Sequence, residues 1–423
     1  MVEYDTDLHI HSLHSIGVSK SMTVPNLVRS AEDKGLDILG TGDATQPQWL
    51  EHLRTHLKKA EDTLSCDSVI FIPTVEIEDS ESIHHLVILR DFESVEHLRE
   101  SLHPYSPNLD HKWGGRPRVS MSAEELAGAV RDCEGLIGPA HAFTPFRAVF
   151  REGRYTSLES CYGEEREHVH FLELGLSADT EIADCIPELR SVTFLTCSDA
   201  HSPSPEKIGR EFVRFSMKAP TFDELKMAIL RKKGRRPVLN VGFHPQLGKY
   251  YLSFCSNCRR TLIIRNSSGP PEYDDFNIYI SCKDSSERNR LLQDIHRRKT
   301  KCPSDGKPLR LGVRDRAMMI GEGVSYSPRH RPPYLHMPPL LEMIAISLGV
   351  KSKSSKSVRN LYYSMREAFG PETTVLTTTS LSEIASANRK LARVIEAYRN
   401  KTVGYVPGGG GRYGFIMAPW EKI

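Results

Sequence analysis

The stretch Asp7-Leu8-His9-Ile10-His11-Ser12 holds the first residues whose types and spacing could do chemistry. Side chains alternate along an extended chain, so both imidazoles leave the same face. Two imidazoles side by side make half of a divalent-metal site. A His-x-His pair carries little by itself; it gains meaning when ligand-type residues recur after later strands. Here they do. Asp43 follows the apolar stretch 36–41, Glu76 follows 68–75, His85 lies in 84–89 and His141 follows 135–140. Asp199 and His201 follow 192–197. A mixed imidazole and carboxylate set suits Zn, Mn or Fe better than Mg. His84, next to His85, is expected on the opposite face of that strand.

The elements that must position these residues are strand-like stretches alternating with helical patterns. The helical patterns begin at Thr23 and span 47–64, 92–103, 122–133 and 221–233. A further strand at 169–174 carries Glu173. This alternation predicts parallel βα units. Without a glycine-rich dinucleotide signature, a barrel is favoured over an open sheet, and barrels gather functional groups at the C-terminal ends of their strands.

At 423 residues the chain is long enough for two or three domains. A hydrophobic content of 39%, 26% charged residues and a mean hydropathy of −0.40 indicate a soluble globular chain. No apolar run is long enough to span a bilayer, so no membrane partner is expected. The acidic opening 1–7 leads straight into a strand, so no secretory signal is expected. Nine irregularly spaced cysteines then read as reduced thiols or metal ligands in a cytoplasmic protein. The net charge of +2 conceals a division. Residues 231–423 hold 34 Lys and Arg against 15 Asp and Glu, a balance of +19, while residues 1–230 hold 22 against 39, a balance of −17. Fourteen of the 18 histidines lie in the acidic part. An acidic, His-rich half suits cations and a basic half suits a polyanion such as nucleic acid.

The motifs Asp7-x-His9-x-His11, Gly42-Asp43, Glu76, His85-Leu-Val-Ile-Leu, Pro139-Ala-His141 and Ser198-Asp-Ala-His201 resemble those of the polymerase-and-histidinol-phosphatase (PHP) superfamily. The resemblance implies a distorted (βα)7 PHP barrel over residues 1–240, holding two or three divalent ions (Zn, Mn or Mg) for phosphoester hydrolysis. His9, His11, Glu76 and Asp199 would hold one ion. Glu76, His85 and His141 would hold a second, and His201 with Asp43 a third. Glu76, Asp199 and His201 are the expected catalytic residues.

Residues 241–315 read as a zinc-ribbon-like DNA-binding module. Cys255-Ser-Asn-Cys258 is one knuckle. The second, at Cys302-Pro-Ser-Asp305, has a carboxylate in place of its fourth cysteine, with Cys282 or His296 as substitutes. Arg259, Arg260, Arg297 and Arg298 flank the ribbon, where basic clusters track phosphates. Residues 316–423 read as a basic helical region, with helical patterns at 340–348, 358–369 and 380–400 and a Gly408–Gly411 run read as a flexible loop. Within it, Arg329, Arg331, Tyr334 and His336 are candidate DNA contacts or wedges; the competing reading is that this proline-rich segment packs the region onto the barrel.

A PHP barrel, a CxxC ribbon and Arg329-His-Arg-Pro-Pro-Tyr-Leu-His336 before a helical end together resemble the endonuclease Q family over nearly the whole chain. That resemblance implies a metal-dependent DNA endonuclease cutting 5′ to hypoxanthine, uracil, xanthine or an abasic site. The alternatives are a phosphatase for a small phosphomonoester, which leaves the basic half unused, and a DNA-binding scaffold with an inactive barrel. The residues leave a sliding-clamp partner open.

Overall fold

The computed structural model describes residues 1–60, 62–321 and 326–417. Its N-terminal part is a barrel whose wall is broken into arcs. In the longest arc, the strand Val2–Asp7 pairs in parallel with Ile38–Gly40, which pairs in parallel with Val69–Ile72. On its other side it pairs antiparallel with Phe212–Met217. A second arc is an antiparallel meander of Thr74–Glu78, His84–Ile88 and Leu136–Pro139. The third is the parallel pair Phe171–Glu173 and Thr193–Leu195. Bridges at Ile137–Val169 and Ile10–Ala200 link the arcs. Leu8, Ile38, Ile72, Leu86, Phe171, Leu195 and Phe215 fill one packed interior. The expected parallel order therefore fails in the meander. The 79–83 connection is a short turn, and a parallel crossover needs a dozen or more residues.

The helix Val24–Lys34 has proline in its first turn and ends on Gly35 in the left-handed conformation. The helical pattern at 47–64 is cut short. The helix Pro47–His56 gives way to strands Lys58–Ala60 and Thr63–Cys66, which extend the sheet edge beside Val69–Ile72. Tertiary pairing overrides helix propensity there. The pattern at 380–400 is likewise split into Leu381–Ala387 and Arg389–Arg399, with Asn388 capping the second helix.

The ribbon is a small sheet of Phe254–Cys255, Thr261–Arg265, Glu272–Tyr273, Asn277–Ser281 and Leu309–Arg310, with the helix Ser285–His296 against it. Leu262, Ile278, Leu292, Ile295 and Leu309 form its own core. Arg298 reaches back to Glu152 of the barrel at 3.1 Å. The glycine run is a clasp rather than a loose loop. Gly408 donates to the Gln246 carbonyl, Gly411 donates to that of Lys249, and a side chain on Gly410 (φ 63) would strike the Arg259 carbonyl.

The proline-rich segment packs the C-terminal region onto the barrel, which overturns three candidate DNA contacts. Arg331 is buried, with its guanidinium bidentate on Asp184 at 3.1 and 2.7 Å and stacked on Phe194. Tyr334 is buried in the strand Tyr334–His336, which pairs in parallel with Arg236–Gly242. His336 is held by Asp179 at 2.9 Å and packs against His244. Among the described residues no helix is long and apolar enough to cross a membrane.

The C-terminal helices share a core with the barrel. Leu27, Ala31, Trp49 and Leu53 pack in one cluster with Leu340, Ile344, Tyr362, Leu376 and Ile395. Its polar node is Glu372. This carboxylate takes Lys34 Nζ at 2.6 Å, the Leu340 amide at 2.9 Å and the Tyr362 hydroxyl at 3.1 Å, with Lys34 and Glu372 both buried. Removing one partner leaves a buried charge uncompensated. Glu372→Ala should therefore destabilise the chain by about 3–5 kcal/mol, and the double replacement Lys34→Met with Glu372→Leu by much less. Urea unfolding checks this; equal losses for the single and double variants would contradict it.

Candidate metal centre

Six ligand-type residues converge at one end of the barrel in two groups, His9 with His11 and Asp199, and Glu76 with His84 and His141. Within each group the ligand atoms lie within 4.8 Å of one another. Glu76 joins the groups. Its Oε1 lies 2.8 Å from His84 Nδ1 and 2.8 Å from His141 Nε2, and its Oε2 lies 3.4 Å from His11 Nε2. Asp199 Oδ1 is 3.2 Å from His11 Nε2 and 3.9 Å from His9 Nε2.

Outer carboxylates orient the two histidines of the opening motif. Glu173 holds His9 Nδ1 at 2.7 Å, and Asp43 holds His11 Nδ1 at 3.0 Å. Both imidazoles therefore present Nε2 to the site, the arrangement by which carboxylates prepare histidine for a metal. Asp7, which opens the motif, accepts from the Ser198 amide at 3.0 Å and the Gly209 amide at 2.9 Å, and so pins the loop that carries Asp199. Asp43, His141 and Asp199 all have positive φ (48°, 32° and 47°). Such strain in non-glycine residues persists only where the surroundings over-determine it.

His9 Nε2 and Asp199 Oδ1 are buried and make no hydrogen bond. Two ligand atoms facing each other at 3.9 Å with no hydrogen bond fit a divalent cation. Electrostatics agree. Burial lowers the His9 imidazole, but Glu173, Glu76 and Asp199 outweigh it and raise it to about 10. His11, likewise buried, is raised to about 9, chiefly by Asp43 and Asp199. Against its burial, His84, Arg116 and His9 hold the Glu76 carboxyl well below its ordinary range. The carboxylates thus draw cationic partners to themselves, and divalent ions would displace protons from the histidines.

The structure corrects two expected ligands. His84, not His85, joins Glu76. Residues opposite one another in an antiparallel pair share a face, and the register sets His84 against Glu78 and His85 against Ile77. Glu78 and Glu76 point the same way, so His84 does too. His85 faces outward, between Tyr162 Oη at 2.8 Å and Asp79 at 3.0 Å. Asp43 is engaged by His11, Ser12 and Ser15 and lies outside both ligand groups. His201 sits beside the centre, its Nδ1 2.8 Å from the Asp199 carbonyl oxygen and its ring 4.7 Å from that of His11. Burial lowers its imidazole below the ordinary value. It lines a cavity of about 230 Å³ with Asp199, His141 and Arg116.

Sequence reasoning missed two more functional residues. Glu173 carried a signal, standing at a strand end like the ligands. Arg116 comes from a loop and touches both groups, its Nε donating to Glu76 and its Nη2 3.4 Å from His11 Nε2.

In the ribbon, Cys255, Cys258, Cys302 and Asp305 form a third candidate metal group. Cys258 and Cys302 have their sulfurs 3.7 Å apart, and Cys255 Sγ is 3.4 Å from Asp305. An Sγ–Sγ edge of about 3.8 Å is what a tetrahedral Zn–S bond of about 2.3 Å produces. Cys282 and His296 lie outside this group. Of the remaining basic candidates, Arg259, Arg297 and Arg329 are exposed. Arg260 is tied to the Asp274 carbonyl and Ser304, and Arg298 to Glu152 and the Leu309 carbonyl.

Residues 339–402 match the family model described as the MJ0043 C-terminal domain. Protein MJ0043 of Methanocaldococcus jannaschii is 32% identical over 67% of this chain, and the match spans 32% of that protein's length. Protein YqxK of Bacillus subtilis is 27% identical over 97% of this chain and 98% of its own. The crystal structure of the lesion-specific endonuclease PfuEndoQ from Pyrococcus furiosus superposes with a TM-score of 0.86 at 40% identity, covering 99% of this chain and 96% of that one. Endonuclease Q in complex with a 27-mer duplex bearing an abasic lesion at its active site gives 0.84 at 40% identity, covering 99% and 98%. With identity and coverage at these levels from the first strand to the last helices, the chain belongs to the endonuclease Q family.

Proposed function

We propose that the chain is a metal-dependent endodeoxyribonuclease that hydrolyses the phosphodiester 5′ to a deaminated base (hypoxanthine, uracil or xanthine) or an abasic site. The observation that carries this reading is the pair of ligand groups joined at Glu76 on a cavity that His84, His141, Asp199 and Arg116 line. His9, His11 and Asp199 would hold one divalent ion, and Glu76, His84 and His141 a second. Ions there would supply Lewis acidity to the phosphodiester oxygens and acidify the attacking water. Glu173 and Asp43 fix the imidazole orientations on which those positions depend. His201, beside Asp199 and open to the cavity, would orient a ligand or assist proton transfer there.

A second cavity, of about 310 Å³, shares Thr144 and Phe146 with the first. Phe143, Phe150, Tyr250, Phe254, Arg259 and Arg310 line it. Tyr250 lies edge-on to Phe146 at 6.0 Å and 5.5 Å from Phe254. Aromatic walls beside arginines suit an unstacked nucleotide. A damaged nucleotide drawn in there would leave its neighbouring phosphodiester over the ligand groups. The DNA-bound relative, at 40% identity over 99% of this chain, supports a duplex substrate.

A duplex containing one uracil, one hypoxanthine or an abasic site, incubated with Mn, should be nicked on the 5′ side of the lesion. Asp199→Asn should lower the rate by more than the roughly 100-fold that loss of a ligand's outer partner can cost, while DNA binding is kept. Nicking by that variant at the native rate would overturn the site. Release of phosphate from p-nitrophenyl phosphate without DNA affinity would instead mark a phosphomonoesterase. Affinity for DNA should fall by roughly 10³-fold or more between 50 and 200 mM salt if six or more phosphates are neutralised. Arg259→Ala and Arg297→Ala should each reduce the slope by about 1; a flat salt response of the native chain contradicts a phosphate-tracking ribbon. The purified chain should carry about one zinc in its ribbon, by the tetrahedral ligand set. Cys302→Ser should lose it, as read by elemental analysis; undiminished zinc in that variant would place the ion elsewhere.

A further inference from the structure

We propose that Arg116, whose guanidinium touches both ligand groups, is the residue that grips the scissile phosphodiester. The loop 106–122 is tied down on both sides of this residue. The Gly115 amide donates to the His14 carbonyl at 3.2 Å, and a side chain at Gly115 would collide with Asp43 Oδ2 and Ser15 Oγ. On the other side, Asn108 Nδ2 donates to the Arg116 carbonyl at 3.0 Å, and the Glu78 amide donates to the Pro117 carbonyl at 2.9 Å. So close an approach of backbone to the outer carboxylate delivers one functional side chain into the centre. That side chain touches Glu76 from one ligand group and His11 from the other.

A guanidinium carries five donors, no acceptor and a permanent charge. It faces lone pairs that divalent ions would take, and two cations cannot occupy one place. With ions bound, Arg116 must turn from His11 and Glu76. Its side chain is 31% exposed, and its open side is the cavity that Asp199 and His201 also line. Charge points to what it would meet there. Glu76, Asp199, Asp43 and Glu173 would balance two divalent ions, which leaves the Arg116 charge for the single negative charge of a phosphodiester. Among the described residues lining this cavity, the other guanidinium is Arg147, and Glu78 holds it at 2.8 Å. Arginine is suited to the task because its planar fork matches two phosphate oxygens.

The inference rests on the endonuclease reading and is tested apart from it. Two lesion duplexes that cannot be cut at the target position are compared in Mn. One carries a methylene-bridged phosphonate that keeps the negative charge, and the other a neutral methylphosphonate. The native chain should prefer the charged linkage. Arg116→Gln should narrow that preference by about 10-fold, the scale of one charge-assisted hydrogen bond, and Arg116→Lys should restore part of it. Manganese content, measured directly, should be equal or higher in both variants, because a competing cation has been weakened or removed. Single-turnover cleavage of an ordinary lesion duplex should fall in parallel. An unchanged charge preference in Arg116→Gln, or loss of manganese from it, overturns the proposal, the second result assigning Arg116 a purely structural role. Failure of the endonuclease reading would look different, since the native chain itself would neither bind nor nick the lesion duplex.

Discussion

Four carboxylates brought together inside a barrel set the terms for the rest of the molecule. Glu76, Asp199, Asp43 and Glu173 lie within reach of one another's fields, and burial of like charge is costly unless cations answer it. His9, His11, His84, His141 and Arg116 lie against them as that answer. Each carboxylate has a distinct part. Glu173 and Asp43 face the Nδ1 side of an imidazole, Glu76 joins the two ligand groups, and Asp199 Oδ1 remains without a hydrogen bond. The division turns a repulsive cluster into an ordered set of lone pairs, which is what divalent ions require.

Such an arrangement has to be held against its own strain. Asp43, His141 and Asp199 stand in the left-handed region at the turns after their strands. The wall that carries them is an assembly of arcs, so neighbouring parts brace it. Asp7 pins the Ser198–Asp199 turn, and the strand Tyr334–His336 extends the main sheet beyond Arg236–Gly242. The C-terminal helices close over the barrel's outer helices in a common core locked by Lys34 and Glu372. The basic half is thus structurally continuous with the acidic half, and its two kinds of arginine separate accordingly. Arg331 and Arg298 bind the parts together, whereas Arg259 and Arg297 face solvent.

The ribbon contributes through position as much as through charge. Its Tyr250 and Phe254 meet the barrel's Phe143, Phe146 and Phe150 to wall a cavity that neither part would form alone. The Gly408–Gly411 clasp holds this junction from the C-terminal side. The cavity beside the metal groups and the aromatic cavity share Thr144 and Phe146, so one short loop joins them.

The sequence by itself determined a barrel with ligand-type residues gathered at its strand ends, joined to a basic, cysteine-knuckled extension. His9-x-His11, Glu76, His141 and Asp199 recur after strand-like runs, and alternation along a strand is a local rule. The three cysteines with Asp305 were legible for the same reason, since their spacing is short. What only the tertiary structure decided was facing and pairing. Alternation shows that His84 and His85 point apart, but the register of the Thr74–Glu78 hairpin selects the one that meets Glu76. Arg331, Tyr334 and His336 look like polyanion contacts in one dimension; packing against Asp184, Phe194 and Asp179 gives them another role. Arg116 lies 40 residues beyond Glu76 and in no strand, so no periodicity leads to it. Local pattern tells which residues can ligate, and long-range packing decides which of them meet.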